Sequence, residues 1–260
     1  MISVVPLFVT ATNYRLQSTS PAIDAGSKSA SGTVDTDFDG TARPVNDAWD
    51  LGCFEKHGSF TAYYVRPDGD DSNTGTGPEA ADAWASVVHA ATRSLSPGDI
   101  VYVKAGTYAG SVAVGVDGTA SEPIQFIADT AGTVAGWPAG IVTLQASSGG
   151  KVLDIENHDY VEFEGFTLIG DGDDAVDIDY GQGVVIRRCA IRGGVKGVEV
   201  NHGAQATVTN CLIHNNSGKG VNLIFGSLAM WNCTIVDNFS GGFEIDDGEC
   251  ALTNCIIANN

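Results

Sequence analysis

The sequence predicts an all-β solenoid, a parallel β-helix of about 22 residues per coil, and three observations predict it. Cys189, Cys211, Cys233 and Cys255 follow one another at intervals of 22, 22 and 22 residues. Apolar residues recur at fixed offsets from each cysteine: Ile186, Val208, Met230 and Leu252 three before it, and Ile191, Ile213, Ile235 and Ile257 two after it. Earlier in each repeat a short alternating run follows a small residue: Ala175-Val-Asp-Ile, Gly197-Val-Glu-Val, Gly220-Val-Asn-Leu and Gly242-Phe-Glu-Ile. Runs of this length and alternation are half-buried strands, and no helical period spans the repeat. One coil cannot bury its own apolar face. Stacked coils share a core, with strands about 4.8 Å apart.

Two bends of the coil carry their own signature. Arg188, Asn210, Asn232 and Asn254 precede the cysteines, with Gly165 in the slightly longer coil before them. A tight bend there needs positive φ, which Gly and Asn tolerate best. Asn216, Asn238 and Asn260 form a second column, and stacked amides can hydrogen-bond along such a file. The four thiols read as free, buried and stacked. Parallel Cβ vectors do not converge on a disulfide, and one thiol per coil does not supply a tetrahedral metal set. Cys53 stands apart and is expected to be buried.

Composition bounds the function. Thirteen Lys and Arg stand against 32 Asp and Glu, a net charge of −19. Nucleic-acid binding is excluded, since phosphate neutralisation needs a basic face. No run is long and apolar enough to insert in a membrane. Met1–Val9 is too short for a signal peptide and lacks a basic start, so the chain is not expected to begin where a secreted precursor begins.

Residues 1–60 have little periodic pattern. They hold Ser20-Pro-Ala-Ile-Asp-Ala-Gly26, Asp35-Thr-Asp-Phe-Asp-Gly40, Arg43-Pro44 and Asp50-Leu-Gly-Cys-Phe-Glu55. As a set they resemble the closing segment of secreted right-handed β-helix proteins, where it follows the last coil; here it comes first. Asp35, Asp37 and Asp39 match the first half of a calcium loop, but position twelve is Asn46 rather than Glu, so the EF-hand reading fails. A simpler Ca²⁺ loop and a metal-free acidic turn remain the alternatives.

Residues 56–62 read as a linker. Tyr63-Tyr-Val-Arg-Pro-Asp-Gly opens a new unit, a short capping helix is expected near 83–94, and Pro97-Gly98 stops it. Asp99-Ile-Val-Tyr-Val-Lys-Ala-Gly-Thr-Tyr108 enters the first coil. This stretch resembles the N-terminal cap and first strands of pectate-lyase-like β-helices, which implies a right-handed helix over 61–260. Pro123-Ile-Gln-Phe-Ile-Ala and Ile141-Val-Thr-Leu are strands of looser coils. The repeat runs to Asn259-Asn260 without a closing segment, so an uncapped last coil is expected. Three explanations compete: the chain is a window on a tandem array, its arm caps its own last coil, or the arm caps the next copy and builds a head-to-tail filament.

Chemistry is expected on one outward face. Asp154, Asp177, Glu199, Asn222 and Glu244 fall in one column, and Glu156, Asp179, Asn201, Ile224 and Asp246 in the next. Carboxylates about 4.8 Å apart repel by roughly 1 kcal/mol in water and more when desolvated, so bound cations or nearby bases must offset them. Lys196 and Lys219 occupy the preceding turn, level with Asp174. The resemblance to β-helix lyases implies a Ca²⁺-assisted sugar groove, with Asp154, Asp177, Asp179 and Glu199 as metal ligands and Lys196 or Lys219 as base. The plain alternative is a solvated acidic face. Gly172-Asp-Asp-Ala-Val-Asp-Ile178 resembles a polygalacturonase phrase, which implies acid–base roles for Asp173 and Asp174; the family's downstream Gly-His-Gly and Arg-x-Lys are missing. Two functions follow: an extracellular structural or adhesive module assembling head to tail and contacting polysaccharide, or a polysaccharide lyase or glycoside hydrolase.

Overall fold

The computed structural model describes residues 60–147 and 149–260, with residues 16, 20–22, 25–26 and 50–52. Asp35, Asp37, Asp39 and Cys53, and most of the segment resembling a closing sequence, lie outside the described residues. The chain divides into two compact units, Met1–Phe60 and Thr61–Asn260. In the first, the Leu51 N–H donates to the Ala22 carbonyl at 2.9 Å.

The second unit is a parallel β-solenoid of nineteen strands among the described residues, β1–β19 in chain order. One face carries β4 (Val112–Ala113), β7 (Leu153–Glu156), β10 (Val176–Asp179) and β13 (Val198–Asn201). A second carries β1 (Ala62–Val65), β2 (Ile100–Val103), β5 (Ile124–Ala128), β8 (Val161–Glu164), β11 (Val184–Arg187) and β14 (Ala204–Thr209). The third carries β3 (Gly106–Ala109), β6 (Val142–Gln145), β9 (Thr167–Ile169), β12 (Ala190–Arg192), β15 (Leu212–His214), β17 (Thr234–Val236) and β19 (Ile256–Ala258). β16 (Lys219–Trp231) and β18 (Gly241–Thr253) are long enough to run through both of the first two faces, which they join into one sheet.

The register is the one the cysteine alignment demands. Ile186 pairs with Val208, Val208 with Met230, and Met230 with Leu252. Ile191, Ile213, Ile235 and Ile257 align on the third face. The Phe126 and Phe163 rings stack at 4.7 Å and 3° on neighbouring coils. All but the last-coil members of these columns are buried, and each such side chain contributes about 1.5–3 kcal/mol.

The bends explain the polar columns. Arg188, Asn210, Asn232 and Asn254 have φ of 53–55°, and Gly165 has φ 83°. In the other column the positive φ falls one residue earlier than the ladder, at Asn215, Asp237 and Asn259. The Asn216, Asn238 and Asn260 amides point inward. The Asn216 Nδ2 donates to Asn238 Oδ1 and the Asn238 Nδ2 to Asn260 Oδ1, each at 2.8 Å. The same oxygens accept backbone N–H groups of the coil before, so both ends of each buried amide are satisfied. The ladder, together with the next coil's backbone and the Ile213 and Ile235 side chains, leaves room only for a small residue at the start of each strand. A Cβ on Gly197 would come within 2.8 Å of Asn216 Nδ2, and one on Gly220 within 2.7 Å of Asn238 Nδ2. Ala175 fits one coil earlier, where Gly194 takes the Asn position. Cys189, Cys211, Cys233 and Cys255 are free, and each Sγ donates to the carbonyl two residues before it at 3.3–3.4 Å.

The cap lies where it is expected but its helix is shorter. α1 spans Val87–Ala91, opened by the Ser86 hydroxyl, which accepts the His89 N–H. It ends at Thr92 because the Thr92 N–H and hydroxyl both take the His89 carbonyl. Val87, Ala90 and Ala91 are buried against the first coil, and Trp84 stacks on Tyr63 at 5.0 Å. At the other end Ile245, Leu252 and Ile257 are 48%, 43% and 44% exposed.

Candidate functional site

Parallel pairing on the first face puts Asp154 beside Asp177, Asp177 beside Glu199, Glu199 beside Asn222 and Asn222 beside Glu244. This is the acidic column of the sequence, now in fixed register. Burial distinguishes it from a solvated surface: Asp174, Asp177, Glu199 and Asn222 are all buried.

Lysines from the preceding bend fold over the column. Lys196 Nζ lies 2.9 Å from Asp174 Oδ2 and 2.5 Å from Glu199 Oε2, and Lys196 N–H also donates to Asp174 Oδ1 at 3.0 Å. Lys219 reaches past its own coil to Glu244. Lys151, which sequence reasoning missed, pairs with Asp154 at 3.1 Å and with Asp177. Its signal was the spacing: Lys151, Lys196 and Lys219 each stand three residues before a member of the column.

Four carboxylates, Asp154, Asp174, Asp177 and Glu199, share two ammonium groups, leaving two negative charges when all are ionised. Burial raises the Asp174 carboxyl above the usual range although Lys196 pulls it down. Burial likewise pushes Asp177 up to about 6; Lys151 opposes it, and Asp179 and Glu199 add to it. Burial alone would lower Lys151 and Lys196. Their carboxylate partners outweigh it and hold both above the usual lysine value.

Three buried oxygens in this column receive no hydrogen bond; Glu244 Oε2 has Lys219 as its ion-pair partner, whereas Asp177 Oδ1 and Asn222 Oδ1 have neither. Asp174, Asp177 and Glu199 each offer an oxygen within 4.8 Å of the other two. Oxygens bound to one Ca²⁺ at about 2.3–2.6 Å lie at most about 5 Å apart, so this hard, all-oxygen set fits a divalent cation.

The remaining expected residues are placed differently. Asp173 accepts the Asp174 N–H at 2.9 Å and is not part of the cluster. Asp179 Oδ1 faces His202 Nδ1 at 3.2 Å. Asp154 is at the margin, its side chain 30% exposed. Trp231 projects outward, 39% exposed, on the second face.

Comparisons agree with this architecture. A solved structure of pectate lyase Pel9A superposes with a TM-score of 0.60 at 21% identity, over 72% of this chain and 50% of that one. The complex of XylC with xylose gives 0.56 at 9%, over 71% and 56%. A rhamnogalacturonan lyase gives 0.50 at 18%, over 73% and 62%. The chain thus spans between half and two thirds of the length of these structures. No curated protein matches it by sequence. Residues 140–260 match the family model described as right handed beta helix region, and the fold of the second unit is that of the right-handed, pectate-lyase-like parallel β-helices.

Proposed function

We propose that this β-helix is an extracellular carbohydrate-binding module that holds an acidic polysaccharide through a divalent cation, Ca²⁺ by its chemistry, at Asp174, Asp177 and Glu199. The unpartnered buried Asp177 Oδ1 carries the reading, because a buried acceptor without a donor costs about 1–3 kcal/mol unless a ligand satisfies it. The uncompensated charge of the cluster and the polyuronide substrates implied by its structural neighbours' names support it. Binding is favoured over β-elimination. A lysine base must give up its proton, and Lys196 is held protonated by two carboxylates. A cation on those carboxylates would loosen that hold, so lyase activity is the finer form of the same reading. Titrating metal-free protein with Ca²⁺ should raise its melting temperature, by the equivalent of about 2.7 kcal/mol at a hundredfold excess over Kd. Polygalacturonate should be retained only with Ca²⁺, and Asp177→Asn should lose both effects. No thermal response of the wild type to Ca²⁺, Mg²⁺ or Mn²⁺ would refute the cation site.

A further inference from the structure

The corner between the first and second faces changes shape partway along the solenoid. In the coil of β13 the chain turns at His202 and Gly203, with φ of 54° and 82°. In the next coil β16 passes the corner without a turn. Glu199 to Ala204 is five residues, whereas the paired Asn222 to Gly226 is four. β18 repeats the straight passage. The step leaves an open groove of about 400 Å³ on the outer surface, within the range of about 300–1,000 Å³ typical of small-ligand clefts.

Its floor is bare backbone. Gly226 and Gly248 line it with backbone alone, and a Cβ on either would face the preceding coil and the core, within 2.6 Å of the Ala204 carbonyl oxygen and 2.7 Å of the Gly226 oxygen, not the groove. Phe225 stands at one side, 56% exposed, so a flat apolar ring is presented to water. One coil back, Gly203 donates its N–H to the Phe225 carbonyl at 2.8 Å and has no side chain to cover the ring. Further along the same corner, Tyr180 stacks on His202 at 4.7 Å and is 47% exposed. Gln205 and Ser227 supply hydroxyl- and amide-type partners, and Asp247 and Glu249 supply acceptors.

We infer that this groove is a subsite for a neutral sugar, with Phe225 stacking on the apolar face of a pyranose ring and the polar rim bonding its hydroxyls. An aromatic ring flanked by a few polar groups over a backbone floor suits a ligand with one apolar face and a hydroxylated edge. The carboxylates of Asp247 and Glu249 oppose a uronate or other anion at short range. The site therefore differs in chemistry from the cation cluster, and it needs no metal.

The test uses the 260-residue chain in EDTA, with cello-, manno- and xylo-hexaose as probes in calorimetric titrations. At least one hexaose should bind at millimolar concentration. Phe225→Ala should weaken it at least about fivefold, and Ser227→Trp, which fills the groove from an outward position, should abolish it. Asp177→Asn should leave it unchanged, so the subsite and the cation reading fail separately. No binding of any hexaose by the wild type, or binding by Ser227→Trp equal to that of the wild type, would overturn the proposal. Retention of polygalacturonate with Ca²⁺ alone, with no hexaose bound in EDTA, would overturn it too and leave the cation site standing.

Discussion

The two sides of the solenoid obey different rules. On the side of the Asn and Cys columns the period holds at 22 from Cys189 to Cys255, each inward amide or thiol is bonded to the next coil or to a carbonyl, and the buried Glu164 carboxylate beside the bend is paired with Arg187 and Arg188. On the first face the period slips to 23 between Glu199 and Asn222, carboxylates are buried, and Asp177 Oδ1 and Asn222 Oδ1 have neither a hydrogen bond nor an ion pair. Repetition on one side has been completed into closed hydrogen-bond files. Irregularity on the other leaves polar groups whose cost nothing within the described residues offsets. The contrast separates what holds the molecule together from what it presents to a ligand.

The largest effect that sharpens this contrast should come from the closed file. Asn238→Leu removes the partner of Asn216 Nδ2 and of the Asn216 N–H, and it strands the Ile213 and Val236 carbonyls. At about 1–3 kcal/mol for each buried group left unpaired, urea denaturation should show a loss of about 4 kcal/mol. Asn222→Leu, on the open face, removes one bond to Glu199 together with an oxygen that had no donor. It should cost no more than about 1 kcal/mol. Equal losses at the two sites would erase the distinction.

The next effect concerns protons. Asp177 has a folded pKa of about 6, above the unfolded carboxyl value of about 4. Between these values the folded state holds a proton that the unfolded chain has lost. Stability from this group is therefore fully present below pH 4 and is lost as pH rises through 6. The loss amounts to about 3 kcal/mol for a shift of about two units. In metal-free protein the unfolding free energy should fall across this window, and Asp177→Asn should flatten the fall. A divalent cation should reverse it, since the cation takes the place of the proton.

How much of this was legible in the sequence follows the same division. The core columns, the bends at Asn210, Asn232 and Asn254, and the register of Asp177 and Glu199 were all readable, because each repeats at a fixed offset from a cysteine, and Asp154 keeps the same offset from Phe166, which takes the cysteine's place one coil earlier. Of Lys151 only the contact with Asp154, three residues on, was readable; its second partner, Asp177, is 26 residues away and only coil stacking brings them together. The groove was hidden for a subtler reason. The residue lost between Asn222 and Gly226 is offset by one gained between Asn216 and Asn222, so the cysteine spacing stays at 22. A strict period in one column can conceal two opposite shifts elsewhere in the coil. The helix limits were also misjudged, since Thr92 ends α1 by a side-chain bond that no periodicity announces.

The smallest prediction tests the one residue that breaks the regular side. Arg188 holds φ 54° in a column otherwise filled by Gly165 and three Asn, where an ordinary side chain costs about 1–2 kcal/mol. Its guanidinium pairs with Glu164, but the Arg188 side chain is 65% exposed, so that pair contributes at most about 1 kcal/mol. Arg188→Ala removes the pair and keeps the backbone cost; Arg188→Asn removes both. The difference between the two variants isolates the bend, and Asn should be the more stable by about 1 kcal/mol in urea denaturation. If Ala and Asn prove equal, positive φ is not what selects Asn at Asn210, Asn232 and Asn254, and the amide contact from Asn254 to Asn232 at 2.5 Å becomes the reason for the column instead.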